Sequence, residues 1–430
     1  MNRGWKEVVA EDFCATVRDG THDSPKQALV GKKLVTSRHI IGGRIDLDNA
    51  YLISDRDFAE INRRSKVDQW DVLITMIGTV GEPCLVSSNS DFAIKNIGLF
   101  KSKSQLHGQW LYYYLKTPAT QDLIRSRTSG TTQAYIALGT LRSLPIVCPS
   151  SAAEMAAIVN CLAALDDKIE LNRKMNETLE AMARALFRDW FVDFDPTRAK
   201  MAGTTPYLSD DLWPLFPDRL DDEGKPEGWE SSTVGEIGEV ICGKTPSTSE
   251  RKYYGGEIPF ITIPDMHSNI FILETSKTLS DAGSRTQAKK LLPPESICVS
   301  CIATLGLVTI TTQSSHTNQQ INSVLPSKAG EMLYWYFALR DLGPAIKSGG
   351  SGGSVLANLS TGRFSALPIL HAKSPIRSAF HDAVSSYFDR VKANQYESRT
   401  LAQTRDLLLP RLMSGELRVA EADQMVEAAQ

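Results

Sequence analysis

The sequence predicts an α/β (α+β) chain in which two tandem mixed α/β domains are separated by two long helices pairing as an antiparallel coiled coil. Two observations carry this. The chain repeats itself at an offset of about 224 positions, and each copy is followed by a stretch with heptad spacing. The length of 430 residues adds that two or three domains are expected, not one.

The repeat shows in four landmarks that keep their order. Gly4-Trp5-Lys6-Glu7 returns as Gly228-Trp229-Glu230. DVLITMIGTVG (71–81) returns as SICVSCIATLG (296–306), and Ile97 matches Ile321. Leu144-Pro145-Ile146 falls on Leu367-Pro368-Ile369. The expected domains are therefore 1–150 and 228–372. Within each copy, apolar runs such as VLITMI and ICVSCIA read as buried strands. GQWLYYYLKT (108–117) and EMLYWYFALRDLG (331–343) read as short helices whose aromatic residues pack into the core.

The long helices follow, over 151–198 and 373–418, ahead of a tail at 419–430. Ile158, Leu162, Leu165, Ile169, Asn172, Asn176, Leu179, Ala183, Leu186 and Trp190 alternate in steps of four and three. So do Phe380, Val384, Tyr387, Val391, Asn394, Ser398, Leu401, Arg405, Leu408 and Leu412. Each seam would run roughly 50 Å at 1.5 Å per residue. Antiparallel pairing would bring Asn172 and Asn176 against Asn394 and Ser398, a polar layer that sets register at some cost in stability. The linker 199–227 holds Pro206, Pro214, Pro217, Pro226 and the run Asp221-Asp222-Glu223, and reads as extended and acidic.

Charge does not exclude nucleic acid. The net charge is −3, yet residues 1–150 carry 19 basic against 15 acidic side chains, and 228–430 carry 19 of each. The deficit sits in 151–227, with 9 against 16. Local phosphate contacts decide DNA affinity, so either large block can bind. The N-terminus has no apolar leader, no stretch approaches a membrane span, and the seven cysteines follow no disulfide pattern; together these point to a cytoplasmic protein.

Two strings imitate known sites. Gly238-EVIC-Gly243-Lys244-Thr245 fits the phosphate-loop pattern, but a poor strand precedes it and a poor helix follows it, so a loop near DNA backbone is the better reading. Cys298-x-x-Cys301 would place its thiols on opposite faces of a strand, which does not suit a metal. Neither an FxGxG loop nor an NPPF- or DPPY-type tetrapeptide is present. The expectation is no catalysis, no metal and no cofactor in this chain.

LDDKIELNRKMNETLEAMARALFRDWFVDF (165–194) and RDLLLPRLMSGELRV (405–419) resemble the two helical regions of type I restriction–modification specificity subunits. DRLDDEGKPEGW (218–229) and GKTPSTSERKYYGGEIPFITIPDM (243–266) are similar to that family's approach to its second target recognition domain. The resemblance covers nearly the whole chain. It implies that each domain binds one half of a bipartite site in double-stranded DNA, with half-sites roughly 34 Å apart and the helices as a ruler. It also implies two modification (methyltransferase) subunits and restriction (motor/endonuclease) subunits as partners, which would carry S-adenosylmethionine, ATP and Mg. The alternative is a scaffold whose repeated domains bind protein.

DNA contact needs polar and basic side chains in loops. In the first copy the candidates are Thr21, His22, Lys26, Arg38 and His39, then Arg125, Arg127, Thr131, Thr132, Gln133 and Tyr135. In the second they are Lys244, Thr245, Arg251, Lys252 and Thr262, then Lys347, Ser351 and Ser354 in a glycine-rich loop. Gln133 and Arg127 are expected to read bases, so replacing both with Ala should relax one half-site only.

Overall fold

The structure is a computed structural model that describes residues 4–421 apart from 89, 131–133, 268 and 351–357. The chain divides into two compact units, residues 1–169 with 399–430, and residues 170–398.

In the first unit the β-branched runs become a four-stranded antiparallel sheet. Its order is Thr16–Asp19, Ile97–Lys101, Val72–Thr75, Pro83–Leu85. The central strand Val72–Thr75 is buried along its whole length, as a run of four apolar or β-branched residues requires. Beside it, Lys32–Thr36 pairs in parallel with Phe92–Lys95, and Trp5–Val9 pairs with Pro145–Pro149. The helix Gln105–Lys116 starts at Ser104, whose hydroxyl accepts from the His107 amide. It buries Trp110, whose indole donates to the Val147 carbonyl at 3.2 Å.

The second unit repeats this plan. Gly238–Cys242, Ile321–Pro326, Ile297–Ser300 and Val308–Thr311 stand in the same order, with Phe271–Ile272 added at the edge. Tyr254–Ile261 pairs in parallel with His316–Thr317, and Glu230–Thr233 pairs with Pro368–His371. The helix Met332–Asp341 has eight consecutive buried residues, Met332 to Leu339. A helix buried all round must be packed on every side. Between 202 and 229 the chain has one 3-10 turn, Trp213–Leu215, but it is no free tether, because Phe216 is buried edge-on against Trp190 at 5.0 Å.

The heptad stretches are two helices, Ala152–Phe191 and Ser374–Met413. In the first unit Ile158, Leu162 and Leu165 share a core with Leu401, Leu408 and Leu412. In the second Ala183, Phe187 and Trp190 share one with Phe380, Val384, Phe388 and Val391. Low numbers meet high numbers, so the pairing is antiparallel. In the second unit the buried face departs from the strict heptad. Leu186 and Tyr387 are only half-buried, whereas Phe187 and Phe388 are buried. The reason is the third helix, Met332–Asp341: Phe337 stacks on Phe187 and meets Phe388 edge-on, so the buried face widens toward it.

The polar layer forms in the second unit. Asn172 Nδ2 donates to Glu397 Oε2 at 2.7 Å and to Ser398 Oγ at 3.3 Å, and Asn394 Nδ2 donates to Asn176 Oδ1 at 2.8 Å. Glu397 joins a layer that heptad spacing had confined to four residues. Asn172 Oδ1 is buried without a partner. Asn172→Leu removes that unmet acceptor but also takes the donor from Glu397 and Ser398, so it is expected to lower stability by about 1–3 kcal/mol. Chemical denaturation measures this, and unchanged or higher stability would show that the unmet acceptor costs more than the layer's hydrogen bonds supply.

Candidate nucleic-acid interface

Register decides which loops meet. In the first unit Gly98 pairs with Asp19, and Ile97 pairs with Thr75. The strand ending at Asp19, the strand starting at Ile97 and the strand ending at Thr75 therefore open at one end of the sheet. In the second unit Cys242 pairs with Asn322, and Ser300 with Ile321, giving the same end. Four loop segments gather there in each unit.

The first segment follows the outer strand. Gly20 N donates to Ile97 O at 2.9 Å and Thr21 N to Ile94 O at 3.0 Å. Their counterparts Gly243 N and Lys244 N donate to Ile321 O at 3.1 Å and Thr317 O at 3.0 Å. Both glycines lie against backbone. A Cβ on Gly20 would sit 2.3 Å from Ile94 O, and one on Gly243 would sit 2.1 Å from Asn318 O.

The second segment is a polar pair just before the inner strand, Lys95-Asn96 in one copy and Gln319-Gln320 in the other. Neighbours hold these side chains. Asn96 Oδ1 lies 2.9 Å from His22 Nδ1, and His22 Nε2 lies 2.9 Å from the buried Asp19 carboxylate. Lys95 donates to Ser24 Oγ. Thr245 Oγ1 donates to Gln319 Oε1 at 2.6 Å, and Asn318 Nδ2 to Gln320 Oε1 at 3.0 Å.

The third segment is the turn Ile77–Gly81 or Ile302–Gly306, exposed at its tip, with Gly78 and Ala303 both in the left-handed region. The fourth is the described stretch after the flanking helix, at Ser129 and Ala134–Tyr135 or at Leu359. Tyr135 and Ser129 exchange backbone hydrogen bonds at 2.8 and 2.9 Å, and Gly78 N donates to Ala134 O at 3.0 Å, joining Ala134 to the turn. In the second unit Leu359 N donates to Cys301 O at 2.8 Å.

In the first unit these segments bring together Thr21, His22 and Tyr135, and in the second unit Lys244 and Thr245. Arg125 and Arg127 are exposed at the end of the helix Pro118–Ser126, whose Gln121 donates to Gly81 O at 2.8 Å. Lys347, on Gly343–Gly350, is the corresponding base beside Gly306. Other candidates are placed elsewhere. Lys26 is exposed on the segment leading away from His22, and Arg251 and Lys252 stand at the far end of Tyr254–Ile261. Arg38 is exposed just beyond Thr36, but His39 is buried, because its Nδ1 accepts from the Thr36 amide at 2.9 Å. Thr262 is likewise occupied, donating to Asp265 Oδ2 at 2.6 Å in a capping box. Thr131, Thr132, Gln133, Ser351 and Ser354 lie outside the described residues.

The two imitated sites resolve simply. Gly238–Cys242 is itself a strand, so the glycine–lysine string is strand then loop and opens no α-helix. Cys298 and Cys301 belong to different apolar clusters, and burial pushes their thiols up to about 12 and about 11.

Burial also lowers the imidazoles of His316 and His39, with Arg38 adding to the effect at His39. A histidine depressed in the fold takes its proton more readily when unfolded. Its contribution is full above the unfolded value near 6.5 and is lost as pH falls through the folded value. The melting temperature is expected to fall between about pH 7 and pH 5, less steeply in His316→Gln. Equal slopes in both proteins would remove His316 from the account.

Known proteins match this arrangement. A family described as the type I restriction modification DNA specificity domain matches residues 2–181 and again 226–370. The type I restriction enzyme HindI specificity subunit of Haemophilus influenzae is 40% identical over 304 residues, covering 60% of this chain and 66% of that protein. The MjaIX specificity subunit of Methanocaldococcus jannaschii is 27% identical over 327 residues, covering 74% and 71%. The chain thus aligns with about two thirds of the length of the first of these relatives. In fold it is similar to the crystal structure of the type I restriction-modification S subunit from M. genitalium, with a TM-score of 0.54 at 17% identity over 96% of each chain.

Proposed function

The chain belongs to the type I restriction modification DNA specificity family, as a sequence-specificity subunit with two recognition domains, and we propose that each domain reads one half of a bipartite DNA site. One observation carries this reading: the same loop-bearing sheet end is built twice, with different polar side chains on a shared scaffold. A shared scaffold docks alike on a duplex, and different side chains then select different bases. The recognition domains are residues 1–150 and 228–372, and the two long helices set the separation of the half-sites.

This subunit supplies specificity, and the chemistry belongs to its partners. Two modification subunits pack on the helices and bring S-adenosylmethionine. Restriction subunits bring ATP and Mg. Leu171, Met175 and Met182 support a protein partner, since they leave an exposed apolar stripe at four- and seven-residue spacing on one helix. Among the described residues no helix is long and apolar enough to cross a membrane; the proposed compartment is the cytoplasm.

The test is co-expression with the modification subunit, followed by sequencing that detects methylated bases in the host genome. A bipartite methylated motif that disappears when this chain is deleted is the expected result. A soluble complex that leaves no such motif would point to the scaffold reading, as would binding to DNA that does not strengthen as salt is lowered.

A further inference from the structure

We infer that Lys95-Asn96 and Gln319-Gln320 are the base-reading pairs of the two half-sites, and that both read base edges bearing hydrogen-bond acceptors; this rests on the DNA-binding reading above. The two pairs occupy equivalent positions, each directly before the landmark isoleucine, Ile97 or Ile321, at the open end of its sheet. Around them the scaffold is the same in both copies: a glycine with no room for a Cβ, a parallel strand pair, and a capped turn at Thr36 or Thr262. What differs is the polar pair and the residue that holds it, His22 and Ser24 in one copy and Thr245 in the other.

The hydrogen bonds decide which atoms remain to read DNA. Asn96 Oδ1 faces a ring nitrogen of His22, Gln319 Oε1 accepts from Thr245, and Gln320 Oε1 accepts from Asn318. Each glutamine oxygen is engaged, and each glutamine nitrogen is left to donate. Lys95 can only donate. Donors pair with acceptors, and in the major groove the acceptor-rich edge is guanine, with N7 and O6. Side chains held by their neighbours before binding also read with less ordering cost.

Gln319→Glu tests this with almost no change of shape. The carboxylate still accepts from Thr245 Oγ1, but its free oxygen accepts where the amide donated. The assembled complex with its modification subunits would be challenged with DNA libraries randomised in one half-site at a time. The variant is expected to change its preferred base at one position of the second half, from guanine toward the donor edge of cytosine or adenine, by about ten- to hundredfold. The first half should be unchanged. Lys95→Ala, in turn, should loosen one position of the first half only. If Gln319→Glu weakens binding to all sequences alike and keeps its preferences, the residue touches phosphate and the inference fails. If either variant keeps the enriched bases of both halves, it fails as well. If the unaltered complex enriches no bipartite sequence, the broader DNA reading fails instead.

Discussion

Phe380→Ala is expected to destabilise residues 170–398 by about 3–5 kcal/mol, the usual cost of emptying a fully buried phenylalanine site. Phe380 has no exposed surface. Its ring centroid lies 5.3 Å from Phe191, 5.6 Å from Phe187, 5.8 Å from Phe337 and 6.0 Å from Trp190. These partners come from the first long helix and from Met332–Asp341, so one truncation opens the contact that joins three helices. Large rigid rings cannot collapse into the space, which puts the cost toward the upper end of the range. Hydrogen exchange at Met332–Asp341 would read the loss. A change below about 1 kcal/mol would mean that the aromatic cluster repacks and does not hold the unit together.

Gly243→Ala is expected to cost about 1–3 kcal/mol through overpacking and, with it, discrimination in the second half-site. The added Cβ would lie 2.1 Å from Asn318 O and 2.3 Å from both Thr317 O and Thr317 Oγ1. Two of these atoms are backbone and cannot swing aside. The loop must lift from the strand, which breaks the hydrogen bond from Lys244 N to Thr317 O and moves Gln319 away from Thr245. Gly20→Ala should do the same to the first half-site. Gly139→Ala is the control, since nothing lies within 4 Å of its added Cβ. Binding selection on the assembled complex would separate the cases. Wild-type preferences in both glycine variants would show that the loop bearing Lys244 takes no part in reading.

Much of the fold was legible because burial leaves a periodic trace. Steps of four and three marked the helices Ala152–Phe191 and Ser374–Met413, and the runs VLITMI and ICVSCIA marked the central strands. The candidate interface was less legible. His22, Lys244 and Thr245 do stand at the loop end of the sheets, and the sequence singled them out because polar residues cluster around a glycine. Lys95-Asn96 and Gln319-Gln320, the pairs inferred above, were not among the sequence candidates, although a sign was present: a polar pair interrupts an apolar run at the same landmark in both copies. His39 and Thr262 misled for the opposite reason. Their side chains suit base contacts equally well, and only the capping geometry shows that each is already engaged.

By itself, the sequence determined that this protein has two copies of one domain and two long helices that pair in antiparallel fashion. Those features follow from the spacing of apolar residues along the chain, and spacing is a one-dimensional property. Only the tertiary structure decided which end of each sheet gathers the loops, which carbonyl oxygens are engaged, and why Phe187 and Phe388 displace Leu186 and Tyr387 from the seam. Strand register and the packing of a third helix bring together residues far apart in the chain, and no local pattern records which of them will meet.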